Sequence, residues 1–309
     1  MSDQKLGFWL GMIAVTSFGL TLPVTQVALP YFDALFIGFG RAWLAGLVAL
    51  VLLIVTRSPL PNASQFKQLI VVTLGVVLGF PVLSAIAMQT VPSAHGGVVL
   101  GILPLATACV ATLITNERPS PWFWIISVIG ALVVVAYSLG GSSCIANREC
   151  SASEGLSISW GDILLFFAVI TAAFGYAVGA VTAKTMPGWR VICWSLVIAL
   201  PITTIVSLPL RPNDLSAISV SGWSAFIYLS LVSQLLAFFI WYKGLALGGI
   251  ARVSQTQLFQ PIVTLIAAAL LAKEHVDSNT LLFAATVISI VWLARKARIS
   301  EKPTVTKIN

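Results

Sequence analysis

Charge is what this chain has least of. Only 9% of its 309 residues are Asp, Glu, Lys or Arg, while 58% are hydrophobic and the mean hydropathy is +0.99. A water-soluble domain carries about a quarter charged residues, so this chain cannot cover a water-facing surface. Histidine is nearly absent, with only His95 and His275, which excludes a histidine-based metal site. None of the H-E-x-x-H, G-x-S-x-G or Walker A patterns occurs. The expectation is a protein that is not an enzyme and needs no metal or cofactor. Only four cysteines are present. Cys109 and Cys193 fall in apolar segments as packing residues. Cys144 and Cys150 share the loop "GGSSCIANRECSASEG", where a bridge and two free thiols are both open readings, neither of them catalytic.

Long apolar runs take the place of charge. A bilayer-spanning helix needs about 20 apolar residues. Ten segments qualify, near residues 6–28, 32–56, 67–88, 93–115, 120–139, 160–183, 189–209, 222–242, 250–272 and 279–295. The first is longer than a signal-peptide core and lacks an A-x-A site, so it reads as a span and not as a cleaved leader. With the N-terminus in the cytoplasm, 13 of the 17 Lys and Arg fall on the cytoplasmic side, three on the other, and Arg41 inside a span. By the positive-inside rule both termini are cytoplasmic, in a cell (inner) membrane. The basic ends then face anionic lipid, and nucleic acid is not needed as a partner.

The chain repeats itself. Pro104 and Pro261 are 157 residues apart, as are Glu117 and Glu274, and each proline precedes its glutamate by 13 residues. Ala94/Ala251, Thr107/Thr264, Ala111/Ala268 and Leu113/Leu270 share that offset. The fold class expected is therefore all-α, with ten transmembrane helices as two inverted five-helix repeats. The first repeat covers 6–139 and the second 160–296, with an outer loop at 140–159 and a cytoplasmic basic tail at 297–309. Five spans per half turn the second half upside down, the architecture of many secondary transporters.

Two segments carry a resemblance. "AHGGVVLGILPLATACVATLITNERPSPWFW" (94–124) and "YKGLALGGIARVSQTQLFQPIVTLIAAALLAKEH" (242–275) resemble the EamA-type proteins of the drug/metabolite transporter superfamily, and Arg41 sits where such proteins often carry a basic residue. The resemblance implies efflux or exchange of a small organic metabolite through a site enclosed by spans 1, 3, 4, 6, 8 and 9. The second half lacks a counterpart of Arg41, and His275 stands where the first half has Arg118.

Polar residues in apolar spans are the candidate site. Gln257, Gln260, Pro261 and Thr264 share one helical face, either lining a cavity or bonding other helices; Gln255 lies nearer the interface. Arg41 is a costly charge at depth with no deep carboxylate to meet it. Backbone carbonyls, water or an anionic group of the substrate would satisfy it. Thr21, Tyr176 and Gln234 complete the substrate-binding candidates. Ser17, Thr21 and Thr25 share a reading in which they bond their own backbone, Gly175 and Gly179 are expected to serve close packing, and Trp241 to anchor the interface. Pro23, Pro104 and Pro261 mark bendable gating helices. His95 and Arg252, again 157 apart, mark either vestibule mouths or solvated interfacial positions. The scarcity of deep carboxylates favours exchange over proton coupling. Partners expected are a small-molecule substrate, the lipid bilayer and, as a candidate, a second copy of the chain. The alternative reading is a non-transporting membrane sensor or assembly partner.

Overall fold

The computed structural model describes residues 3–114, 117–119, 121–122, 124–126, 128–130, 132–133, 136, 159–248, 253–276, 278–295 and 299–301. Arg252 and the Cys144/Cys150 loop therefore lie outside the described residues. Among the described residues, ten helical segments can be followed. They are α1 (Asp3–Ala28), α2 (Ala34–Val55), α3 (Ala63–Ala87), α4 (Ser93–Ile114), α5 (the helical residues between 121 and 136), α6 (Trp160–Thr182), α7 (Gly188–Ser207), α8 (Val220–Gly248), α9 (Ser254–Phe259 continuing into Gln260–Leu270) and α10 (Ser278–Arg295). The expected spans lie within a few residues of these, except that α8 continues to Gly248. Among the described residues the single departure from an all-helical chain is a three-residue antiparallel pair, β1 (Glu117–Pro119) with β2 (Ile299–Glu301). It draws part of the expected tail against the segment after α4.

Local chemistry sets the helix starts. Asp33 Oδ1 accepts from the Leu35 N–H at 2.8 Å and so caps α2. Asn62 and Gln65 form a reciprocal capping box on α3, and Ser159 and Asp162 form another on α6. Large apolar side chains such as Trp9, Ile54, Leu74, Phe167 and Ile205 stand exposed on the outer helix faces. In water such a surface would aggregate; in a bilayer it is the lipid contact. The chain is a multi-pass integral membrane protein.

The repeat is visible in the helix irregularities. Helix α3 runs as π-helix over Thr73–Gly79, and α8 does so over Tyr228–Leu236, the matching span of the second half. Helix α4 breaks at Gly101–Ile102, and α9 begins as a 3-10 turn over Ser254–Phe259, each just ahead of its proline. Helix α1 breaks once, at Leu20. Pro23 has no N–H to offer the Gly19 carbonyl, and the Thr264 hydroxyl donates to that oxygen at 2.8 Å. A hydroxyl from the second repeat thus satisfies a backbone group freed in the first.

Small residues let the halves approach. A methyl group at Gly175 would meet Val76 Cγ1 at 2.5 Å. One at Gly179 would overlap the Tyr242 ring, whose hydroxyl donates to the Gly175 carbonyl at 3.2 Å. Both glycines serve packing between α6 and its neighbours, as expected.

Candidate functional site

The centre of the bundle holds a small cavity between the halves. Phe18 and Thr21 of α1, Arg41 of α2, Val76 and Phe80 of α3, Tyr176 of α6, Ser233, Gln234 and Phe238 of α8 and Gln260 of α9 surround it. Its volume is about 10 Å³. That is room for about one water. Of the expected enclosing spans, α4 contributes no lining side chain among the described residues, and α2 takes its place through Arg41. The reason is geometric: α2 crosses between α7, α3 and the π segment of α8, which carries Arg41 to the centre.

The π segments shape this centre. A π turn shifts the register of the backbone bonds. Gln234, in the π segment of α8, donates its Nε2–H to the Val76 carbonyl of the α3 π segment at 3.0 Å. Ser233 beside it is hydrogen-bonded to Thr21 Oγ1 at 2.8 Å, and its Oγ accepts from Arg41 Nη2 at 3.2 Å. Arg41 is 2% exposed. Its Nε–H has no partner among the described residues, nor have Gln234 Oε1 and Gln260 Oε1. Donors of a cation and amide acceptors thus meet unpartnered in one buried space. A buried polar group without a partner costs about 1–3 kcal/mol, and a buried charge several, so this arrangement asks for a ligand of complementary polarity.

One wall is aromatic. Phe18 packs on Phe238 with centroids 4.9 Å apart, and edge-on against Trp241 at 6.0 Å. Tyr176 lies 5.6 Å from Trp241. Trp241 is fully buried, which corrects the expectation of an interfacial anchor. Helix α8 reaches Gly248, so Trp241 lies a turn and more inside its end. Composition alone could not distinguish these positions, because an indole suits either one.

The remaining candidates divide. Gln257 is buried, with neither amide atom partnered among the described residues, but it does not line the cavity. Thr25 bonds its own helix, donating to the Thr21 carbonyl at 2.8 Å, and Ser17 donates to Ile13 at 3.3 Å; Thr21 does not, having Ser233 instead. Pro23, Pro104 and Pro261 are all buried beside helix breaks. Phe18, Phe80, Val76 and Phe238 were not legible as site residues, since an apolar side chain in an apolar span carries no mark of the face it takes.

A second, open cleft of about 760 Å³ lies at the bundle end opposite the N-terminus, between the end of α1 (Gln26, Tyr31), the α3–α4 loop (Met88–Pro92) and the end of α9 (Leu271–Glu274). Lys273 turns the chain there with a left-handed backbone, φ 54°. The turn brings Glu274 over the first turn of α4. Its Oε1 accepts from the Ser93 N–H at 2.8 Å and from Ser93 Oγ at 2.7 Å, and Oε2 accepts from the Ala94 N–H at 2.8 Å. The repeated glutamate thus caps a helix of the other half. Next to it, His95 is buried and not solvated. It is 3% exposed, with Nε2 2.6 Å from Asp162 Oδ1. This pair corrects the expectation of His95 as a wetted vestibule group.

Comparison with known proteins agrees with this architecture. A family model described as the EamA-like transporter family matches residues 5–139 and 159–295. "Uncharacterized transporter YdeK" of Bacillus subtilis (strain 168) is 39% identical over 299 residues, covering 96% of this chain and 99% of that one. "Uncharacterized transporter YyaM" of the same organism is 23% identical over 267 residues, 85% of each chain. "Protein PecM" of Dickeya dadantii (strain 3937) is 24% identical over 279 residues, 90% of this chain and 88% of that one. A solved crystal structure shares the fold with a TM-score of 0.61 at 17% identity, covering 93% of this chain and 97% of that one. Two matched repeats, relatives named as transporters and a polar centre between inverted halves lead to one assignment: the chain belongs to the EamA-like transporter family.

Proposed function

We propose that this protein is a secondary transporter that exports or exchanges a small organic metabolite by alternating access. It would lie in the cell (inner) membrane with both termini in the cytoplasm, as the placement of Lys and Arg favours. The observation that carries the reading is Arg41. It is a guanidinium buried between the halves, with one serine hydroxyl as its recorded hydrogen-bond partner and the free carbonyl oxygens of Gln234 and Gln260 on the same cavity. A carboxylate suits the guanidinium, and an ammonium group suits the two amide oxygens. The aromatic wall suits an apolar remainder. An amino-acid-like zwitterion meets all three demands, and an amphipathic anion meets two. The discontinuous helices α4 and α9, and the break in α1, provide places where the cavity can open to either side.

Counterflow in proteoliposomes tests this. Vesicles are preloaded with pools of neutral amino acids, amphipathic carboxylates, sugars or nucleosides. We expect saturable exchange of the zwitterion or carboxylate pools, at least about tenfold weaker for Arg41→Met, since a charge-assisted pair contributes more than about 1.4 kcal/mol. The tightness of the centre favours a second reading, a non-transporting sensor or assembly partner. Folded protein in sealed vesicles that exchanges no pool, with or without an imposed ion gradient, would establish that second reading instead.

A further inference from the structure

The His95–Asp162 pair joins the halves at the cleft end of the bundle. His95 is the third residue of α4 in the first repeat, and Asp162 the third of α6 in the second. Both are held firmly. Glu274 caps the first turn of α4. Asp162 Oδ2 accepts from Ser159 N–H at 3.2 Å and Ser159 Oγ at 2.8 Å, leaving Oδ1 turned to the imidazole. The pair lies directly behind the cleft wall. A methyl group at Gly161 would overlap Thr90 Oγ1 and stand 3.0 Å from Val91 Cγ1, and Thr90 and Val91 both line the cleft. The segment Ser93–Leu100 is set apart from the rest of α4 by the break at Gly101–Ile102.

We propose that His95 and Asp162 form a proton-binding latch that holds this end of the transporter shut. With the imidazole doubly protonated, the contact is a charge-assisted bond between imidazolium and carboxylate. With the second proton gone a neutral N–H faces the carboxylate, and the contact is weaker because the attraction between opposite charges is lost. The step is the gain or loss of one proton on the ring nitrogen that does not face Asp162. The latch is therefore strongest at low pH and loosens as pH rises. Under the orientation proposed above, the sensed pH is external.

Among the described residues, charged groups on the elements packed against the pair are few. From α9 come Glu274, engaged on Ser93 and Ala94, and Lys273, followed by exposed His275. The Thr21–Ala28 part of α1 carries none, the cleft loop Met88–Pro92 none, and α6 none besides Asp162; α10 carries only Arg295, at its far end. Glu274 is the group most able to mimic the effect, so the test separates it.

Amide hydrogen exchange of the 93–100 segment is followed in nanodiscs from about pH 5 to pH 8, corrected for the intrinsic rate. No transported substrate is needed, so a failed transport reading would leave the result intact. We expect wild-type protection to fall about five- to tenfold with rising pH. His95→Gln, which keeps a neutral donor toward Asp162, should be flat. Asp162→Asn should be flat and less protected, while Glu274→Gln should lose protection yet keep the step. A pH-independent wild type would overturn the proposal without recourse to any variant, and so would His95→Gln retaining the full step.

Discussion

The contact between Thr264 and the Gly19 carbonyl can be tested as a two-part device. Pro23 removes the N–H that would have served Gly19, and Thr264 replaces it from the other half. Thr264→Val keeps the side-chain shape, which matters because Gly97 lies against Thr264 Cγ2. An orphaned buried carbonyl costs about 1–3 kcal/mol, while hydrogen bonds between membrane helices average about 0.6 kcal/mol with a ceiling near 1.7. The hydroxyl has one hydrogen and can also turn to the Gln260 carbonyl at 3.0 Å, so its loss should cost about 1–1.5 kcal/mol. In a Pro23→Ala background, the new N–H at position 23 can reach Gly19 itself. There Thr264→Val should cost about 0.5 kcal/mol or less, a coupling of about 0.5–1 kcal/mol. Unfolding equilibria of the four proteins in bicelles, by steric trapping, give the cycle. Equal losses in both backgrounds, within about 0.3 kcal/mol, would refute the idea that the hydroxyl stands in for the proline's missing N–H.

Three further outcomes follow from particular contacts. Gly179→Ala should destabilise the protein by about 1–3 kcal/mol through overpacking against Tyr242, and Tyr242→Ala should relieve part of that loss in the same unfolding assay. Glu274→Ala should cost about 1–2 kcal/mol as α4 loses its cap, seen as faster exchange of the Ser93 and Ala94 amides. In the loop between α7 and α8, the Ser216 hydroxyl and N–H hold the Asp214 carboxyl below the ordinary carboxylate range. Ser216→Ala should move that titration upward, toward the model-peptide value, as followed by NMR of the Asp214 side chain. The sign is that of a stabilised carboxylate: the turn keeps its bonds at neutral pH and loses them as pH falls through the Asp214 titration.

The one-dimensional features were legible in the sequence alone. Span length follows from bilayer thickness, and the inverted repeat from the offset shared by Pro104 and Pro261. Arg41, Gln260 and Thr21 stood out because a polar group in an apolar run is expensive wherever it points. The facing of side chains was not legible. Trp241 and Phe18 carry no mark that separates a lipid-facing ring from a cavity wall, and the two π segments have no residue pattern that announces them. His95 and Asp162 lie 67 residues apart, each near a helix start where solvation was an equally good reading. Hydropathy thus determined that there are ten crossings and two halves, because burial in lipid acts on each segment separately. Packing of the halves decided which polar groups meet, because a pair such as His95–Asp162 exists only when two helix ends are brought within a few ångströms.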